Sequence, residues 1–169
     1  NFNWFNEVFT RHYHNDLFAK PVDNFMVKFG DKFINKYYPG QSLLQLPFFL
    51  AAHSIALLFN FEADGFSLPY QVGMGVSALF YAWLGLLFTS AILMKLFNNK
   101  RMALFVPLIV FFGTNLFTYS IFYGCYSHVY SFCLLALTFY TTQRFFDAPS
   151  KTILHLLPVI LFSLIVLSI

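Results

Sequence analysis

Five residues stand where ionisable or hydrogen-bonding side chains meet apolar sequence: Lys36, Tyr37, His53, Asp64 and His128. His53 falls on a polar stripe of an otherwise apolar run and His128 opens another such run, so both are placed to line a cavity. The plain alternative for each is a neutral, hydrogen-bonded structural histidine. Lys36, beside Tyr37-Tyr38, has the character of a lysine snorkelling toward lipid headgroups. Asp64 precedes Gly65 and has the character of a residue that caps a helix or orders a turn. Cys125 and His128, like His12 and His14, have a spacing compatible with a metal. Two ligands do not make a site where structural zinc takes four, and no metal or cofactor is expected. The chain carries no glycine-rich phosphate loop, nucleophile elbow or paired-cysteine motif, which leaves soluble nucleotide chemistry without support.

The elements that must position these residues are set by composition. Hydrophobic residues make up 59% of the 169 and charged residues only 10%, against about 25% charged in soluble domains. Aromatics reach 22%, a load that would leave large apolar patches on a soluble globule. The ten Lys and Arg are spread among loops and form no basic stripe, so nucleic acid is not an expected partner. Cys125 and Cys133 sit in apolar sequence as small hydrophobes and report no redox compartment. A first residue other than Met and an apolar finish at Ile169 predict an excerpt of a longer protein, incomplete at both ends.

Val72 to Met94 contains no acid or base; at ~1.5 Å per residue it is roughly 35 Å long, enough to cross a ~30 Å hydrocarbon layer. Met102 to Gln143 lacks Asp, Glu, Lys and Arg throughout. It divides into two spans about a turn at Tyr123-Gly124-Cys125-Tyr126-Ser127. The predicted spans are 70–97, 102–122, 127–145 and 152–169. Lys95, Lys100 and Arg101 share one loop and Arg144 with Lys151 another, while the alternate loops hold Glu62 and Asp64 or no charge. The positive-inside rule puts the basic loops in the cytoplasm and Asp64 outside.

Asn1 to Lys36 mixes five Lys or Arg with four acids and is read as water-facing, with a short amphipathic helix about Trp4, Phe5, Val8 and Phe9. Ser42 to Phe59 is apolar but puts Gln41, Ser42, Gln45, His53 and Asn60 on one side of a helical wheel, and Pro47 is expected to interrupt it. It either spans the bilayer or lies along the outer interface, and the residues leave both open. The expected fold class is all-α: a polytopic transmembrane helix bundle (70–169) preceded by an extracytoplasmic segment (1–69) with a juxtamembrane helix at about 42–59.

The stretch Asn35-Lys36-Tyr37-Tyr38-Pro39-Gly40-Gln41-Ser42-Leu43-Leu44-Gln45-Leu46-Pro47-Phe48-Phe49, followed by Asp64-Gly65-Phe66-Ser67-Leu68-Pro69-Tyr70-Gln71, resembles the membrane glycosyltransferases of the C-type fold. Within these it is most similar to family 39, the protein O-mannosyltransferases and the transferase that adds aminoarabinose to lipid A. The resemblance implies that 42–59 is a helix on the outer membrane face. It also implies transfer of a sugar from a polyprenyl phosphate to a lipid, glycan or protein hydroxyl. Such transfer needs a carboxylate to take the acceptor proton and a cation near the departing phosphate. The family's acidic base would lie a few positions before Asn1, so neither Glu7 nor Asp16 inherits that role and the catalytic residue is unknown. Where relatives carry an Asp-Pro pair, this chain has Ser127-His128. The resemblance makes Lys36, beside Tyr37, the candidate phosphate contact and Asp64 a candidate for sugar hydroxyls.

The implied partners are membrane lipids, a lipid-linked sugar donor and other parts of the same longer chain. The implied location is a bacterial inner membrane with the site facing outward, which the lack of any Asn-x-Ser/Thr site also fits. The alternative function is a transporter or flippase, for which Gly73, Gly75 and Gly85 in the longest span are the only interruptions and no charge accompanies them. A purely structural membrane subunit explains the spans but not the outward aromatic-Pro-Gly turn.

Overall fold

A computed structural model describes residues 26–29, 32–35, 39–147, 160–161 and 163–164. The described chain is helical apart from one short antiparallel pair, β1 (Met26–Phe29) and β2 (Lys32–Asn35), in which Met26 lies opposite Asn35 and Phe29 opposite Lys32. No strand was expected in this charged segment. Val27, Phe29, Phe33 and Ile34 supply the β-branched and aromatic content that favours pairing. The short helix expected about Trp4 to Phe9 lies outside the described residues.

Helix α1 (Gly40–Leu58) runs unbroken through Pro47, so the expected interruption does not occur. Asn60 closes it in the left-handed region, at φ +58°, and the Phe61 N–H returns to the Ala56 carbonyl at 2.9 Å. That is a Schellman end built on asparagine. Helix α2 (Leu68–Phe97) has 30 residues, about 45 Å. It opens with Pro69 in its first turn and closes at Asn98, also left-handed. Helix α3 (Lys100–Gly113) starts on the Asn99 side chain, which accepts from the N–H groups of Arg101 and Met102. Helix α5 (Ser127–Asp147) ends in Arg144 and Asp147.

The span expected at 102–122 arrives in two pieces, α3 and a short α4 (Leu116–Ile121). Thr114 supplies the cause. Its hydroxyl donates to the Val110 carbonyl at 2.7 Å and accepts from the Leu116 N–H at 3.2 Å, so a side chain takes the place of the backbone ladder. Two helices, α1 and α2, are each long and apolar enough to cross a membrane. The last expected span, 152–169, is described only at 160–161 and 163–164, where Leu161 packs with Leu134 and Leu44.

Helix α2 is the axis against which the others pack. Leu44 meets Tyr81 and His53 meets Tyr70, so α1 lies antiparallel to the first half of α2. Tyr130 meets Ser77 and Asp147 meets Lys95, so α5 lies parallel to all but its start. Close approach is made possible by glycine. A Cβ at Gly85 would fall 2.6 Å from the Phe132 ring and 3.1 Å from the Cys133 Cα; one at Gly73 would fall 3.0 Å from Ala52.

Most of the interior is small or polar, with Ala52, Ala56, Ala78, Ala82, Ser77, Ser120 and Thr141 buried beside Tyr70 and Tyr130, and Leu116, Val129, Leu134 and Leu161 complete it. The exterior holds the large apolar ones, including Leu50, Leu58, Trp83, Leu87, Leu104, Ile109 and Phe112. An interior rich in small residues under a surface of large apolar ones matches that of helices packed through small residues in lipid.

Candidate functional site

The polar stripe expected on α1 exists, and it points inward. Gln41 donates to the Cys125 carbonyl, and Gln45 donates to the Tyr130 hydroxyl at 3.0 Å and the Gly124 carbonyl at 3.4 Å. The Tyr130 hydroxyl in turn donates to the Gly124 carbonyl at 2.8 Å and lies 3.2 Å from the Ser77 hydroxyl. Leu43, Leu46, Leu50, Ile55 and Leu57 cover the outward sides of the same helix. Of the expected stripe, Ser42 and Asn60 alone are exposed. The tight turn at 122–126, closed by the Tyr126 N–H on the Tyr123 carbonyl, offers the carbonyls that these glutamines need.

His53 and Asp64, two of the site residues read from the sequence, converge on a third that reading missed. The His53 Nδ1 lies 2.5 Å from the hydroxyl of Tyr70, a fully buried side chain, and the Asp64 carboxylate is within electrostatic reach of the same hydroxyl. Phe49 stacks on the His53 ring and tilts against Tyr70. Asp64 also orders the loop into α2, its Oδ1 accepting from the N–H groups of Phe66 at 2.8 Å and Ser67 at 2.9 Å around a left-handed Gly65. A tyrosine in an apolar run carries no sequence signal of this kind; only packing reveals it.

His128 belongs elsewhere. Its ring tilts over Tyr119 at 4.3 Å and stacks with Tyr126 at 6.4 Å, in an aromatic cluster at the start of α5 that also includes Tyr123. Lys36 and Tyr37 lie outside the described residues.

Between α1, the start of α2 and the 122–126 turn lies a pocket of about 650 Å³. Phe49, Tyr70, Gln71, Met74, Gly124 and Cys125 are among its walls. Gln71 is held by a bond from its side-chain nitrogen to the Phe66 carbonyl at 2.9 Å. The Tyr70 phenol, the Gln71 amide and the Gly124 carbonyl are the polar groups of these walls, beside aromatic faces, and among the described residues no Lys or Arg lines the pocket. Cys125 is exposed over much of its surface, yet desolvation still pushes its thiol above the ordinary range, so it remains a thiol at neutral pH. Among the described residues no three His, Cys, Asp or Glu side chains converge.

The opposite end of the bundle is cationic. Lys95, Lys100, Arg101 and Arg144 gather there, with Asp147 paired to Lys95. Arg144 also lies over the Tyr140 ring, its guanidinium carbon 5.4 Å from the centroid.

Compared with family models, curated proteins and solved structures, the chain matches none.

Proposed function

We propose that the chain is the membrane-embedded part of a glycosyltransferase that takes a sugar from a polyprenyl phosphate on the extracytoplasmic face. The observation that carries the membrane half of this reading is the inverted packing: polar stripe inward and hydrogen-bonded, large apolar side chains outward. Placing so many Leu, Ile and Phe side chains against water would forfeit most of the hydrophobic stabilisation of the fold, whereas lipid removes that cost. Ser77, level with the aromatic turn, lies eighteen residues before Lys95 on α2, roughly 27 Å, close to the ~30 Å hydrocarbon thickness. Tyr119, Tyr123 and Tyr126 then form one interfacial belt and the cations sit in the cytoplasm.

The transfer half is supported by the outer pocket, whose neutral polar and aromatic walls suit a sugar. Lys36, nearby in sequence, supplies the cation for the departing phosphate. Asp64 acts by ordering the pocket's loop and by presenting a carboxylate beside Tyr70. No described residue is assigned as the acidic base, and the bacterial inner membrane is the location in this reading.

The test is release of polyprenyl phosphate from a polyprenyl-phosphate sugar by the purified full-length protein. Gln71→Ala, in the pocket wall, and His53→Ala, which removes the bond to the pocket's Tyr70, are each expected to lower the rate about ten-fold, the scale of one lost hydrogen bond. Equal rates in all variants, or sugar moved across vesicles without transfer, would replace this reading with the transporter alternative.

A further inference from the structure

Helix α2 carries three glycines, Gly73, Gly75 and Gly85, and packing explains two of them. A Cβ at Gly73 would meet Ala52 and one at Gly85 would meet the Phe132 ring, so each lets a neighbouring helix approach. A Cβ at Gly75 would meet nothing within 4 Å. Glycine inside a helix is destabilising relative to alanine, and no contact within the bundle calls for it at this position.

Gly75 is, however, part of the wall of the pocket between α1, α2 and the 122–126 turn. Beside it the turn is pressed against α2: a Cβ on Gly124 would lie 3.1 Å from that of Ala78 and 3.5 Å from the Gly75 Cα. Gln71 stands one turn earlier on the same face of the helix. Side chains on an α-helix lean toward its N-terminus, so any side chain at position 75 would extend toward Gln71 and into the pocket. The Gln71 side-chain nitrogen is spent on the Phe66 carbonyl, which leaves its side-chain oxygen as an acceptor with no donor among the described residues. No Lys or Arg among the described residues lines this space, so a neutral ring matches it better than a phosphate.

We infer that Gly75 determines what the pocket accepts: the sugar ring lies against bare α2 backbone at Gly75, with one hydroxyl donating to the Gln71 side-chain oxygen. The inference rests on the sugar-transfer reading above and adds the residue that limits the size of the transferred group.

The experiment compares full-length wild-type protein with Gly75→Ala, Gly75→Leu and Val76→Leu, the last at an adjacent exposed position outside the pocket wall. Polyprenyl-phosphate mannose and polyprenyl-phosphate arabinose are offered separately, and kcat/KM is followed with whichever donor the wild type uses. It is expected to fall about ten-fold in Gly75→Ala and about a hundred-fold in Gly75→Leu, the scale of extra carbon atoms in a fitted site, and to hold in Val76→Leu. Cys125, in the same wall, gives a readout without turnover. In protein with its other cysteines replaced by alanine, the donor is expected to slow modification of Cys125 by N-ethylmaleimide in wild type and Val76→Leu, and to lose that effect in Gly75→Leu. Unchanged kcat/KM in Gly75→Ala, or donor protection that persists in Gly75→Leu, overturns the assignment. Gly75→Ala decides the matter alone should Gly75→Leu fail to fold, because the open space accepts a methyl. Failure of the sugar-transfer reading has a different signature, wild-type protein that releases no polyprenyl phosphate and whose Cys125 neither donor shields.

Discussion

The side-chain nitrogen of Gln45 stands 3.0 Å from the hydroxyl of Tyr130, joining α1 to α5 across 85 positions of sequence. Both groups are in the interior, and Tyr130 is fully buried. The bond therefore ties the outer helix to the bundle at its turn, with the Gly124 carbonyl as common acceptor.

Removing either partner leaves the other short of a bond. Gln45→Leu and Tyr130→Phe are each expected to cost about 1 kcal/mol of stability, and the double change less than their sum, with a coupling of about 0.6 kcal/mol as found for interhelical bonds in lipid. Unfolding by a denaturing detergent in mixed micelles measures this. Additive effects would mean that the two side chains do not bond.

Gly85 and Gly75 make a matched pair on one helix. A methyl at Gly85 meets the Phe132 ring and the α5 backbone, while at Gly75 nothing lies within 4 Å. Gly85→Ala is expected to destabilise by about 1–3 kcal/mol through overpacking. Gly75→Ala is expected to be neutral or to stabilise by up to about 1 kcal/mol through helix propensity. The same unfolding assay compares them.

How much of this was legible in the sequence depends on which interaction fixes each element. The helices expected at 70–97 and 127–145 fall at Leu68–Phe97 and Ser127–Asp147, because long apolar runs bounded by Pro69, Asn98 and the turn before Ser127 leave few other choices. Among the described residues, though, only α1 and α2 are long and apolar enough to cross a membrane. The break at Thr114 was hidden, since hydropathy does not register a hydroxyl that competes with the backbone. The stripe of Gln41, Gln45 and His53 was visible as a pattern, but its direction depends on acceptors some eighty residues away. Tyr70 was missed for the same reason, its partners His53 and Asp64 being brought to it by the α1–α2 hairpin. The β1–β2 pair was missed because interleaved charges resemble a solvated surface.

Asp64 separates loop order from chemistry. Asp64→Asn keeps an oxygen for the Phe66 and Ser67 N–H groups and is expected to leave stability within about 0.5 kcal/mol, whereas Asp64→Ala loses both bonds and costs about 1–2 kcal/mol. If the carboxylate also serves transfer, Asp64→Asn slows the reaction in a protein that unfolds normally. Full activity in Asp64→Asn would confine Asp64 to ordering the loop.

Lys36→Ala is expected to lower release of polyprenyl phosphate about ten-fold or more, since a charge-assisted contact to a departing phosphate is worth about 1.5–3 kcal/mol. Unchanged kinetics would remove Lys36 from the site and leave it as a headgroup anchor.

The inverted packing is tested most directly by the solvent that touches Leu87, Leu104 and Leu108, all exposed on the outside of the bundle. Spin labels at these positions, one at a time in reconstituted protein lacking Cys125 and Cys133, report collisions with oxygen and with a water-soluble nickel chelate. High oxygen accessibility with the chelate excluded at all three is the expected result. Free access of the chelate would put water where lipid is required and contradict the account.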